Sequence, residues 1–336
     1  MLKTSLLVLA IGLGAAAQAA PDYSVSKTIA LGAPDRWDYL TFDAATHRVA
    51  VAHGSEITVV DSDSGAVVGR LGPIKHGAGV MIANGRVYAT SQEPDSLVVF
   101  DLVSLKQVAV IPVGKGPDGA LYDPASRRGF VVNEDDKTIT AIDVETNKPL
   151  FTADLGGAPE FFGVAAGKVF VNIKDRREVL RIDIASGKPD AHWPIPDCEA
   201  PHGLAVDEAA HRLFSSCVNG RMMVLDSDNG TVIARLPIGK RTDGAGFDPK
   251  RKLAFSSNSQ GTLSVIAEKN AAEFVSLGEV PTAPGARTMA LDPDSGRIFV
   301  VTADVASAEP AQDGGKPTRF SFVPGSLKML FLDPAQ

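Results

Sequence analysis

The chain has 336 residues, 44% of them hydrophobic, with 33 basic against 40 acidic residues and a formal net charge of -7. That length admits one or two domains. An acidic balance in which no run of lysine or arginine offers a phosphate-binding stripe argues against nucleic acid as a partner.

In chain order, residues 1–19 read as a secretory signal peptide: a single basic residue, Lys3, an apolar run from Leu6 to Ala17, and Ala17-Gln18-Ala19 as the cleavage motif. Cleavage would remove only the Lys3 charge, taking the net charge from -7 to -8. No cysteine near the cut is available to accept a lipid, and no later apolar run approaches the roughly 18 residues of a membrane span. A soluble periplasmic or secreted protein is expected, monomeric and without a membrane span.

A lone strand pattern follows, "SVSKTIAL" at 24–31, and after it the chain is repetitive. Apolar segments ending in aspartate recur as "TVVD" to Asp61, "VVFD" to Asp101, "TAID" to Asp143, "LRID" to Asp183 and "MVLD" to Asp226, then "SVIA" to Ala267 and "MLFLD" to Asp333. The first five intervals are 40, 42, 40, 43 and 41 residues. A second series precedes them: "LTFDAATHRVAVA", "LYDPASRRGFVV", "LAVDEAAHRLFSS", "AGFDPKRKLAFSS" and "MALDPDSGRIFVV", with the shorter "MIANGRVYAT" and "GVAAGKVFVN" filling the gaps. Each of the seven units reads as four strands separated by D-P, N-G or glycine turns, and helical periodicity is absent. Four strands every 40 to 43 residues describe a propeller blade. The seventh unit stops at its third strand, and residues 24–31 resemble the missing fourth, so the N-terminal strand is expected to complete the last blade and remove the open edges. The expected fold is all-β: one seven-bladed β-propeller of four-stranded antiparallel blades over residues 20–336, with an insertion at about 302–326.

The stretches "WDYLTFD", "GKGPDGALYDP", "APHGLAVD", "GARTMALDP" and the late "VPGS", with the paired cysteines of unit five, resemble the YVTN-repeat, YncE-like family of exported bacterial β-propellers. The resemblance spans the chain after the signal peptide. It implies architecture and an exported location; it implies no particular activity, because many members of that family have no assigned biochemical role.

Unit five holds both cysteines in "CEAPHGLAVDEAAHRLFSSC", from Cys198 to Cys217, with His202 and His211 between them. In a propeller the innermost strand descends from one face, here called upper, and the second strand returns to it, so Cys198 and Cys217 should lie together at that face. In an oxidising compartment a disulfide is the leading expectation, closing a loop of about 20 residues worth roughly 3 kcal/mol in the chain-entropy model. The rivals are a soft-metal site of Cys198, His202 and Cys217, which lacks a fourth ligand, and a redox dithiol, which more often appears as C-x-x-C. His47 and His211 each fall four residues after an aspartate in the lower turn and are expected to be exposed.

Aligning the units on His202 produces a ring of residues at the channel mouth: Asp38, Ala78, Asp118, Glu160, His202, Asp243 and Arg287, with His76 nearby. Convergent polar groups from several blades suit a ligand site. Four carboxylates on one axis would repel one another and rise in pKa unless a cation offsets them, so a divalent cation is a candidate cofactor. The plainer alternative is that solvent fills the channel and each carboxylate pairs locally or caps a turn, as in "PDGA" and "TDGA". Upper loops add His53, Glu93, Glu134, Asp135, Lys174, Asp175, Asn219, Asn258 and Asp304. In the insertion "ADVASAEPAQDGGKPTRFSFVPG", the first half is expected to be mobile and the second, around Phe320 and Phe322, to form a lid over the channel, the alternative being a plain disordered decoration.

Asp61-Ser62-Asp63-Ser64-Gly65 and Asp226-Ser227-Asp228-Asn229-Gly230 open like calcium loops but place glycine one position early and have no glutamate at position 12, so they read as turns. The P-loop, G-x-S-x-G and H-E-x-x-H do not occur. Two functions are weighed. One is a non-catalytic scaffold binding a small molecule, peptide or protein at the upper face. The other is a metal-assisted hydrolase or lyase in the mouth, with His202 as acid or base, Arg287 stabilising an oxyanion, and Asp38, Asp118, Glu160 and Asp243 holding the metal.

Overall fold

The computed structural model describes residues 22–34, 36–309 and 320–335, so the signal-peptide reading lies outside the described residues. Seven four-stranded antiparallel sheets follow one another along the chain. Their innermost strands are Leu40–Asp43, Val80–Ala83, Pro117–Asp123, Pro159–Ala165, Pro201–Asp207, Thr242–Asp248 and Met289–Leu291. Each packs beside the inner strand of the next blade and the seventh beside the first, closing a ring round a central channel.

The second and third strands of each blade are apolar on both faces because each blade is sandwiched between two others. In Arg48–His53 the alternation is still present: Val49 and Val51 pack toward blade seven, whereas Ala50 and Ala52 pack toward blade two. The same logic yields seven apolar layers, one per blade-to-blade interface. Fully burying one valine, leucine or phenylalanine contributes roughly 1.5–3 kcal/mol, so each layer is a sizeable local core.

Closure follows the expected route. Tyr23–Ala30 pairs antiparallel with Lys328–Pro334, from Tyr23 opposite Pro334 to Ala30 opposite Lys328, and completes the sheet of Ile298–Thr302 and Met289–Leu291. Near the axis the blades converge until side chains no longer fit. A Cβ on Gly79 would lie 1.9 Å from the Asp118 carbonyl oxygen, and one on Gly203 would lie 2.6 Å from the Ala245 nitrogen.

The lower turns behave as the sequence suggests. Asp61 accepts a hydrogen bond from the Ser64 N–H at 2.8 Å and Asp226 from the Asp228 N–H at 2.9 Å, which are Asx turns. His47 and His211 sit in the neighbouring turns between first and second strands, about half exposed, and reach across to Asp63 and Asp228 of these turns. The insertion begins with a strand, Val305–Ala308, where mobility was expected, and this strand pairs with Phe320–Phe322. The remainder of its first half lies outside the described residues.

Candidate functional site

Four of the seven ring residues stand on β-bulges at one recurring place. Strand pairing skips from Pro117 to Ala120, from Pro159 to Phe162, from Pro201 to Leu204 and from Thr242 to Ala245. Asp118, Glu160, His202 and Asp243 are thereby released from the ladder, the device by which strands re-aim side chains near binding sites. The backbone groups freed by the bulges find buried polar partners. Asn172 Nδ2 donates to the carbonyls of His202 at 2.7 Å and Gly203 at 3.0 Å, and is itself held by the Ser215 hydroxyl, which donates to Asn172 Oδ1 at 2.9 Å.

The four ring carboxyls divide into two pairs. Glu160 accepts from Lys174 Nζ at 2.5 Å, and the same ammonium reaches Glu134 at 2.6 Å, bridging blades three and four. Burial draws the Lys174 pKa down, but hydrogen bonds from Glu134 and Glu160 outweigh it and hold the ammonium above its usual range. Asp243 lies 3.3 Å from Arg287 Nε. That contact is an ion pair without hydrogen-bond alignment, so the buried Nε–H has no acceptor. Asp38 and Asp118 have no such cation in contact. Burial, and then the Asp118 charge, push Asp38 well above the carboxylate range against the opposing pull of Arg287. Burial, then Glu160 and Glu134, lift Asp118 to about 7. The Tyr39 hydroxyl donates to Asp118 Oδ2 at 3.2 Å, and its ring packs on Phe161 at 4.4 Å. Tyr39 crosses toward blades three and four because blade two presents only Ala78 and Gly79 there, and a Cβ on Gly119 would meet the tyrosine ring at 3.1 Å.

An upper cavity of about 820 Å³ lies to one side of the mouth, over blades five, six, seven and one. It brings together His202, Asp243 and Arg287 of the expected ring, with Thr242, Trp37, Arg36 and Arg241. His202 Nε2 is 3.7 Å from Glu160 Oε1 and its Nδ1 is 3.1 Å from the Ala200 carbonyl. Asp38, Asp118 and Glu160 lie outside the cavity lining. Phe322 packs edge-on against Trp37 at 4.9 Å, so Phe320 and Phe322 wall the cavity from above blade seven. A second cavity of about 740 Å³ occupies the opposite end of the channel between blades one to four and shares no lining residue with the first.

Some expected residues are placed elsewhere. His76 is not part of the mouth: it is more than half exposed and lies 3.8 Å from Glu93 on the outer loops. His53 is fully buried, bonded to Thr58 Oγ1 at 2.7 Å and to the Pro34 carbonyl, and burial lowers its pKa. Asn258 is likewise internal, donating to Thr262 and Ser264. Cys198 and Cys217 form a disulfide with Cα atoms 5.2 Å apart, which removes both thiolates from any metal or redox role. Cys217 pairs with Pro201, so the staple sits beside the start of the His202 strand. Among the described residues no three histidine, cysteine, aspartate or glutamate groups are placed to hold a metal ion. Sequence reasoning passed over Trp37, Arg36, Arg241 and Thr242, although "WDYL" and "KRTDG" flank ring positions, and it missed Asn172, a polar residue inside an otherwise apolar strand.

The sequence model of the PQQ_2 family, described as outer membrane protein assembly factor BamB, matches residues 53–312. No curated protein matches the chain. Among solved structures, the hydrazine synthase of Kuenenia stuttgartiensis superposes with a TM-score of 0.69 at 16% identity, covering 78% of this chain and 91% of that one. A chain of the structure titled mitotic checkpoint complex superposes at 0.74 with 14% identity, covering 99% and 98%. At these identities the likeness is one of fold.

Proposed function

The chain belongs to the PQQ_2, BamB-described propeller family, and on that premise we propose that it is an exported, non-catalytic binding scaffold with its ligand site in the upper cavity. Within propellers of this kind, the repeat motifs "WDYLTFD" and "APHGLAVD" favour the YVTN, YncE-like group. Periplasmic or secreted placement rests on the N-terminal sequence pattern and agrees with the disulfide. The observation that carries the reading is the cavity itself: His202, Asp243 and Arg287, from three consecutive blades at one aligned position, face a volume suited to a small molecule. The scaffold is rigid, so the site is pre-formed.

The metal-assisted hydrolase finds less support, because Glu160 and Asp243 are already engaged by Lys174 and Arg287. Native mass spectrometry of protein isolated from the periplasm, with a small-molecule library added, tests the proposal. Wild type is expected to retain a compound that His202→Ala and Asp243→Asn lose while keeping their urea midpoints. Equal retention by all three proteins overturns the assignment.

A further inference from the structure

The upper cavity has a charge character opposite to that of the molecule. The chain as a whole is acidic at -7, yet Arg36, Arg241 and Arg287 all line this one cavity. The side chains of Arg36 and Arg241 are exposed and make no hydrogen bond or ion pair among the described residues, Arg241 being held through its backbone by Val218 and Ser259. Arg287 is tethered by donating to the Trp37 carbonyl at 3.2 Å and by its pairing with Asp243, and its guanidinium lies 6.0 Å from the Trp37 ring centroid. Asp243 is therefore matched by Arg287, and with Glu309 as the other carboxylate of the lining the three guanidiniums still outnumber the carboxylates, three to two.

One side of the cavity is aromatic. Trp37, 6% exposed, is covered by Phe322, and Phe320 lines the same side. Two buried N–H donors at this wall, Trp37 Nε1 and Arg287 Nε, have no acceptor. A guanidinium presents a planar fork of donors that matches a carboxylate in a bidentate way. An aromatic wall gains most from a flat apolar body laid against it.

We propose that the upper cavity binds an aromatic or similarly flat organic carboxylate, its anionic group held by Arg241 and Arg36 with Arg287, and its apolar body resting against Trp37, Phe320 and Phe322. This rests on the reading that the upper cavity is the ligand site. A cationic or neutral ligand would leave the excess of guanidinium over carboxylate unmatched in a partly enclosed space, whereas an anionic ligand offsets it and gives the Arg36 and Arg241 side chains an acceptor.

Three probes of one shape separate the possibilities: 2-naphthoate, 2-naphthamide and 2-naphthamidine. Binding is followed by ligand-detected NMR and by quenching of Trp37 fluorescence in a Trp193→Phe background. Naphthoate is expected to bind about tenfold or more tightly than the amide, to lose about tenfold in Arg241→Gln and in Arg36→Gln, and to weaken in high salt. Both side chains are exposed and have no hydrogen-bond or ion-pair partner among the described residues, so these variants are expected to keep the fold. If the amide or amidine binds as well as naphthoate and Phe322→Ala weakens it, the cavity remains the site and the anionic class is wrong. If no probe binds, or if Phe322→Ala and both arginine variants leave naphthoate binding unchanged, the proposal is overturned.

Discussion

At the scale of single residues, the channel carboxyls show how position decides charge. Asp118 titrates near 7 in the folded protein, whereas an unfolded aspartate titrates near 4. The native state therefore holds its proton more tightly, and this contribution to stability is full below about pH 4 and lost as pH rises through 7. Asp118→Asn should remove that loss and be more stable than wild type at pH 8 by about 2 kcal/mol, a value reduced from the full shift because the carboxyl is partly open to the channel. Urea titrations of both proteins at pH 5 and pH 8 check this, and equal pH dependence would refute it. Tyr39→Phe takes away the one hydrogen bond that favours the ionised form, so the Asp118 pKa should climb further, as carboxyl carbon NMR would show. The aspartate itself was legible from the unit alignment. So was the rise in carboxyl pKa; that it would fall on Asp118 was not, because that depends on burial and on Glu160, Glu134 and Tyr39, which come from other blades or strands and are brought close only by ring closure.

At the scale of elements, the bulges and the staple define the cavity rim. Replacing both Cys198 and Cys217 by serine should lower stability by roughly 3 kcal/mol, because the closed loop of 19-residue separation restricts the unfolded chain. A shift in the denaturant midpoint with an unchanged slope is the expected sign, and no shift would mean that the loop is held by packing alone. The pairing was readable from the compartment and from the predicted antiparallel strands. The bulges were not, since nothing in "PDG", "PEF", "PHG" or "TDG" distinguishes a skipped register from a regular turn into a strand; the register emerges from partners on the second strand. The hairpin of Val305–Ala308 and Phe320–Phe322 gives a further prediction. Replacing residues 304–325 with a short turn should leave the propeller folded while exposing Trp37, seen as a red shift in tryptophan emission, because Phe322 is its cover. An unshifted spectrum would show that the hairpin does not shield the cavity.

At the scale of the whole molecule, stability depends on closing the ring. A chain beginning at residue 32 lacks the strand Tyr23–Ala30 and leaves Lys328–Pro334 as an open edge. It should unfold at markedly lower urea with a broader transition, and adding a peptide of residues 22–31 should restore part of the loss; an unchanged midpoint would show that the seventh blade does not need it. The sequence by itself determined the number of blades, the four strands in each, the route of closure and the partnership of Cys198 with Cys217, because these follow from local alternation, turn chemistry and a repeat period that every unit carries. Only the tertiary structure decided that the ring of seven does not act as one. It pairs Glu160 with Lys174 and Asp243 with Arg287, raises the carboxyl pKa values of Asp38 and Asp118 by burying them, leaves His76 exposed beside Glu93 and seals His53 inside. A repeat aligns positions along the chain, but distances between blades are set by side-chain volume at the axis, where Ala78 and Gly79 yield space that Tyr39 takes. That asymmetry moves the open cavity to one side of the channel, over His202, Asp243 and Arg287.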